Sequence, residues 1–112
     1  MDAKLKSKWI EALRSGKYKQ AKERLYKGRN QYCCLGVLGR CMGKSAAAMR
    51  SYLELNEIID DDHMPFGFEA EGILVRMNDT EGKTFPEIAD WIEANIPSEP
   101  ANDTSPTTGL GA

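Results

Sequence analysis

The run YCCLGVLGRC, residues 32–41, contains the longest apolar stretch of the chain. A run this apolar does not suit an element that exposes one face to water, so it predicts a central segment packed on most sides. On a helix, Gly36 and Gly39 would lie three positions apart and open a flat face for close approach of another backbone. Each glycine would cost about 1 kcal/mol of helix propensity relative to alanine. Gly43 would then end the element.

Three cysteines in this run raise a question of chemistry. A structural zinc site needs four ligands, usually in two closely spaced pairs, and C-C-x₆-C with the distant His63 matches that poorly. On a helix, Cys34 and Cys41 would lie about 10 Å apart, too far for a disulfide. We therefore expect Cys33, Cys34 and Cys41 to be small reduced core residues, with a redox or metal role as the minor alternative.

A thiol nucleophile would need activation by a base, and His63 is the chain's one histidine. It follows Asp60, Asp61 and Asp62, but no spacing in the sequence brings this group to the cysteines. Whether His63 and Asp60–Asp62 hold an ion is left open.

Helical periodicity recurs through most of the chain. It predicts a first helix up to Gly16, a long helix over 45–59 opened by Ser45, a helix over 69–79, and a last helix after Thr84. Thr84 and Glu87 form the S/T-x-x-E pattern of a capping box. The expected core is Trp9, Leu13, Leu35, Leu38, Leu53, Ile73, Leu74, Ile88 and Trp91.

Residues 18–32 are ambiguous between a hairpin and a helix. A helical stripe runs through part of the segment, yet KGRN at 27–30 suits a tight turn with Gly28 or Asn30 at positive φ. The turn favours a hairpin.

The length of 112 residues fits one domain. We predict a mainly α fold, with α+β as the alternative. The single small domain would span residues 1–97 and have four to five helices, with or without one short β-hairpin. Residues 98–112 offer little to bury and are predicted to be a disordered tail. No apolar run approaches the length of a membrane span, and the N-terminus lacks a secretory signal pattern, so a cytoplasmic protein is expected.

The net charge of −2 conceals a strong asymmetry. Residues 1–50 carry 13 Lys and Arg against three acidic residues, or +10, and residues 51–112 carry two against 14, or −12. This pattern indicates a basic surface for an anionic partner, or oppositely charged halves that meet within the fold or in a head-to-tail contact.

The basic half interleaves cations with aromatic rings. Cations beside rings suit phosphates and stacked bases, although a solvated hairpin whose tyrosines cover the core is the simpler alternative. The candidate binding residues are Lys17, Tyr18, Lys19, Lys22, Arg24, Tyr26, Lys27, Arg29 and Tyr32.

The segments WIEALRSGKY, YCCLGVL, MND and GKTFPEIADWIE together resemble a family of small uncharacterised proteins encoded by bacteriophages and prophages. The resemblance covers about residues 9–94. Members often have an acidic residue soon after CLGVL, where this chain has Gly39-Arg40. The resemblance implies a protein made in an infected bacterial cell, where small accessory proteins bind and disable host components.

The sequence therefore predicts a non-enzymatic accessory protein of phage type in the host cytoplasm. It would inhibit or sequester a host component, either a protein or a nucleotide-derived signal, through its basic, tyrosine-bearing segment, and an anti-defence role fits that description. The alternative is a nucleic-acid-binding regulator that acts through phosphate contacts. No cofactor, metal site, catalytic residue or membrane partner is expected, and a homo-oligomer is left open.

Overall fold

The computed structural model describes residues 1–50, 52 and 55–98, with the side chains of residues 56 and 61 excepted. Two short 3₁₀ helices, Leu55–Glu57 and Asp61–His63, lie between the third and fourth α-helices. The other elements, in chain order, are α1 (Ala3–Arg14), β1 (Lys19–Gln20), β2 (Tyr26–Gly28), β3 (Gln31–Tyr32), α2 (Cys34–Cys41), α3 (Ala46–Met49), α4 (Phe68–Asp79) and α5 (Phe85–Asn95). The mainly α prediction is confirmed.

Helix α2 lies at the centre of the molecule. Each of its residues from Cys34 to Gly39 is buried. A Cβ on Gly36 would lie 1.9 Å from the Leu25 carbonyl oxygen, and one on Gly39 would lie 2.5 Å from the Met49 sulfur. Both glycines therefore allow close approach of a neighbour, as the spacing predicts, and at Gly36 that neighbour is backbone.

The segment predicted as one hairpin forms part of a three-stranded sheet of order β1-β3-β2. Strands β2 and β3 are antiparallel, and the turn between them has positive φ at Gly28, Arg29 and Asn30. The prediction of a hairpin alone was wrong, because β1 pairs in parallel with β3. The Lys19 amide donates to the Asn30 carbonyl at 3.0 Å, a non-local pairing that turn residues do not signal.

The expected core is largely confirmed. Ile73 and Trp91 are partly buried against it, and Leu53 lies outside the described residues. The predicted residues that are buried are Trp9, Leu13, Leu35, Leu38, Leu74 and Ile88.

The predicted helix over 45–59 was wrong in its length. Ser45 does cap a helix, accepting from the Ala48 amide at 3.1 Å, but α3 ends at Met49. The carbonyl of Tyr52 instead accepts from the Leu25 amide at 3.2 Å, and Tyr52 is 37% exposed rather than buried. A tertiary backbone contact here overrides a helical pattern.

Side chains and the N-terminal amine supply hydrogen bonds at both ends of the last helix. Thr84 and Glu87 form the predicted capping box. At the other end, the Lys6 ammonium donates to the Ile96 carbonyl at 2.5 Å and the N-terminal amine donates to the Pro97 carbonyl at 2.7 Å. These cations satisfy carbonyls at or just beyond the helix end and complement its dipole.

From residue 99 onward, the predicted tail lies outside the described residues. None of the described helices combines the length and apolar character that a membrane crossing requires.

Candidate anion-binding surface

Six cations of the segment 17–29 point into solvent, and we call them the basic strip. None of them forms an ion pair with a carboxylate within the described part of the chain. All of them are exposed: Lys17, Lys19, Lys22, Arg24, Lys27 and Arg29. The strip therefore presents a positive surface that no carboxylate among the described residues neutralises by contact.

Three tyrosines of the same segment form a cluster. The rings of Tyr18 and Tyr32 meet edge to face with centroids 5.1 Å apart, and those of Tyr26 and Tyr32 lie 4.8 Å apart. Tyr32 is buried, whereas Tyr18 and Tyr26 are half-buried. A partner on this surface would touch Tyr18 and Tyr26, with Tyr32 holding both rings from beneath.

Burial also affects the ionisation of the central ring. Removal from water raises the pKa of the Tyr32 hydroxyl, and the positive charge of Arg40 opposes that rise. Tyr32 is therefore a neutral phenol at physiological pH, and the charge of this surface comes from the cations alone.

The loop that carries Lys22 and Arg24 is fixed to α4. Buried Asn78 donates from its side-chain amide to the Ala21 carbonyl at 2.7 Å. Asp79 accepts from the Glu23 amide at 3.0 Å, and Glu23 has a φ of 69°. These two bonds fix the backbone on either side of Lys22 and directly before Arg24, which reduces the entropy lost when these cations bind a partner.

Asn78 also joins this loop to the central helix. Its side-chain oxygen accepts from the Cys34 amide at 3.2 Å and from the Gln20 side chain at 2.9 Å. In the sequence, the MND segment at 77–79 contributes to the family resemblance and carries no signal of a role of its own. An asparagine just before the end of a helical pattern is ordinary, and no local signal indicates its burial.

The structure adds Arg50 to this surface. Its guanidinium lies 5.2 Å from the ring centroid of Tyr26, a cation–π contact. A Cβ on Gly28 would lie 3.6 Å from the same guanidinium. Arg50 lies twenty-one or more positions from the residues of the basic strip in sequence, so only the tertiary fold brings it there.

Two of the three cysteines are core residues, as expected, whereas Cys41 is only partly buried against the core. Cys33 and Cys34 are buried, and the Cys33 sulfur accepts from the Gly36 amide at 3.4 Å as the cap of α2. Burial raises the pKa of Cys33 to about 12 and raises that of Cys34 well above its ordinary value. Both are therefore protonated thiols at neutral pH, which are poor nucleophiles.

His63 takes no part in a thiol pair. It is exposed and lies 2.5 Å from Asp60, whose carboxylate raises the pKa of the imidazole. Across the described residues, no three carboxylate, thiol or imidazole groups converge as a metal site requires.

Comparison with known proteins gives one result. The family model described as Domain of unknown function (DUF8296) matches residues 1–64, which is more than half of the chain. The chain belongs to this family. No curated protein and no solved structure gives a significant match.

The DUF8296 match includes α1, the sheet, α2 and α3, so the entire basic strip lies within it. The residues that fix the strip's loop, Asn78 and Asp79, lie beyond it.

Proposed function

We propose that this DUF8296 protein is a non-enzymatic binding protein that holds an anionic partner on its basic strip. The observation that carries the proposal is the set of six exposed cations without carboxylate partners among the described residues. Opposite charge on a partner would steer its approach and select its orientation.

The rigidity of the surface supports the same proposal. Hydrogen bonds to Asn78 and Asp79 hold the loop of Lys22 and Arg24 before any partner arrives. A surface of solvated lysines with no binding role would not need such fixed backbone, since it gains nothing from preorganisation.

The resemblance to phage and prophage proteins indicates the class of partner. We infer that the protein acts in the cytoplasm of an infected bacterium and inhibits or sequesters a host component with an acidic or phosphorylated surface. The non-enzymatic role is supported by the buried, protonated Cys33 and Cys34 and by the separate His63–Asp60 pair.

Capture from a host lysate by the immobilised protein tests the proposal. Lys22→Glu with Arg24→Glu should abolish capture of acidic components, because it replaces two cations by two anions at the fixed loop. The control is Lys4→Glu with Arg76→Glu, which changes the net charge equally. Arg76 lies two positions before Asn78 and therefore about 200° round α4 from it. Equal capture by both double variants would contradict the proposal, provided that both melt near the wild-type temperature.

A nucleic-acid-binding regulator is the second candidate, favoured by the same six cations. It would lose affinity for generic duplex DNA steeply as salt rises, with a log–log slope of about 0.9 per phosphate contacted. Fluorescence anisotropy with labelled DNA over a range of salt concentrations separates this candidate from a protein or small-molecule partner. Weak, salt-independent binding would exclude it.

A further inference from the structure

A groove of about 630 Å³ opens at one end of the basic strip, between α1 and the end of α2. Its walls come from four parts of the chain, and α5 supplies Glu93. Helix α1 supplies Lys8, the turn after it supplies Lys17 and Tyr18, and the end of α2 supplies Arg40 and Cys41.

The charges that line the groove are unbalanced. Arg14 and Glu93 both line it but pair with each other, with 3.2 Å between nitrogen and oxygen. The remaining lining charges are Glu11 and three cations, Lys8, Lys17 and Arg40, for which the described residues supply no carboxylate partner. The groove therefore keeps a net positive charge of two on lining groups that remain available to a ligand.

Two of these cations contact backbone carbonyls. The Lys8 ammonium lies 3.5 Å from the Cys41 carbonyl, across the groove from its own helix. The Arg40 guanidinium donates to the Lys44 carbonyl at 3.0 Å. Each keeps further N–H donors beyond those contacts, since an ammonium has three and a guanidinium five.

The rest of the lining is suited to an apolar ring. Ile10 and Ala12 lie in the wall together with the half-buried ring of Tyr18. A volume of about 630 Å³ lies within the usual range of small-molecule sites and is far larger than an inorganic phosphate requires.

We propose that this groove binds a nucleotide, with its phosphates on Lys8, Lys17 and Arg40 and its base against Tyr18 and the apolar wall. The inference rests in part on the proposed function, because Lys17 and Tyr18 belong to both surfaces. Lys8 and Arg40 lie outside the segment 17–32, so the two proposals can fail separately.

The test is a titration of the full chain with ADP, followed by calorimetry and by backbone amide NMR. ADP should bind saturably and shift the amides of Lys8, Lys17 and Arg40. Inorganic phosphate and ribose 5-phosphate, which lack the base, should bind at least about tenfold more weakly. Equal affinity for ADP and inorganic phosphate would overturn the nucleotide assignment, and so would no saturation by millimolar ADP.

A pair of variants locates the site. Lys8→Gln with Arg40→Gln should lose at least about tenfold in ADP affinity, because two charge-assisted contacts disappear. The conservative Lys8→Arg with Arg40→Lys should retain most of it. Undiminished ADP binding by the glutamine variant would overturn the groove as the site.

Variants of the strip and variants of the groove, measured side by side, keep the two proposals distinguishable. Lys22→Glu with Arg24→Glu should retain ADP binding while losing lysate capture. If capture survives that substitution but ADP binding follows the groove variants, the strip proposal fails and the groove proposal stands. If ADP does not bind at all, the groove proposal fails and the strip proposal is judged by capture alone.

Discussion

Gly36→Ala is the substitution that most directly tests why α2 can lie at the centre of the fold. The added Cβ would lie 1.9 Å from the Leu25 carbonyl oxygen and 2.8 Å from its carbon, whereas ordinary contact begins at 3.4 Å. The shortfall is therefore about 1.5 Å for the oxygen, and the obstacle is backbone. The Leu25 carbonyl also accepts from the Cys33 amide at 3.3 Å, so moving it away endangers a hydrogen bond.

The expected cost follows from three contributions. Overpacking a buried site costs up to about 3 kcal/mol. Loss of the hydrogen bond adds about 1 kcal/mol. Alanine recovers about 1 kcal/mol of helix propensity relative to glycine. The free energy of unfolding should therefore fall by about 3 kcal/mol, measured by urea denaturation with the intrinsic fluorescence of Trp9 and Trp91 as the signal.

Two other glycines provide matched controls. Gly39→Ala meets the flexible Met49 side chain, which can move, so the free energy of unfolding should change by less than about 1 kcal/mol. Gly72→Ala meets nothing within 4 Å on α4 and should stabilise by up to about 1 kcal/mol. Gly36→Ala that is as stable as Gly72→Ala would refute the close approach of α2 to Leu25.

Two further predictions concern single side chains. Asn78→Ala should lower the free energy of unfolding by about 3 kcal/mol, because it leaves the buried Cys34 amide and Ala21 carbonyl without their partner. A loss under about 1 kcal/mol in urea denaturation would contradict a stabilising role for these buried hydrogen bonds. NMR titration should give His63 a pKa above its ordinary 6.5, and Asp60→Asn should bring that pKa back down. Because the folded-state pKa is raised, the pair stabilises the fold fully below the unfolded pKa, and this contribution is lost as pH rises through the folded pKa. A His63 pKa at its ordinary value, or one that Asp60→Asn does not lower, would contradict the pairing of His63 with Asp60.

The central helix and the helix caps were predictable because their signals are local. An apolar run with two glycines three apart specifies a buried helix that something approaches closely, and Thr84 with Glu87 specifies a helix start within four residues. Neither signal identifies the residue that packs against the helix. That Gly36 faces the Leu25 carbonyl depends on the path of a loop eleven positions earlier.

The two wrong predictions, the hairpin alone and the long helix over 45–59, share one cause: each missed a backbone contact between residues far apart in sequence. The third strand depends on the pairing of Lys19 with Gln31, and the early end of α3 accompanies the contact between Leu25 and Tyr52. Periodicity describes one segment at a time and cannot represent such pairs.

The residues of the candidate surface could be predicted from the sequence, but the residues that hold them in place could not. Cations and tyrosines of the segment 17–32 can be read from the sequence, and the structure brings Tyr18, Tyr26 and Tyr32 together. The contributions of Asn78 and Arg50 come from elsewhere in the chain and required the fold.

Native mass spectrometry of the protein purified from phage-expressing bacterial cells, compared with its denatured mass, determines whether the cations of the basic strip and the groove hold an anionic partner. The wild-type chain should carry a noncovalent mass that disappears on denaturation. The folded triple variant Lys17→Glu, Lys22→Glu, Arg24→Glu should carry none, because it reverses cations of both the strip and the groove. A bare native mass for the wild type, or the same added mass on the triple variant, would contradict the claim that these cations hold an anionic partner.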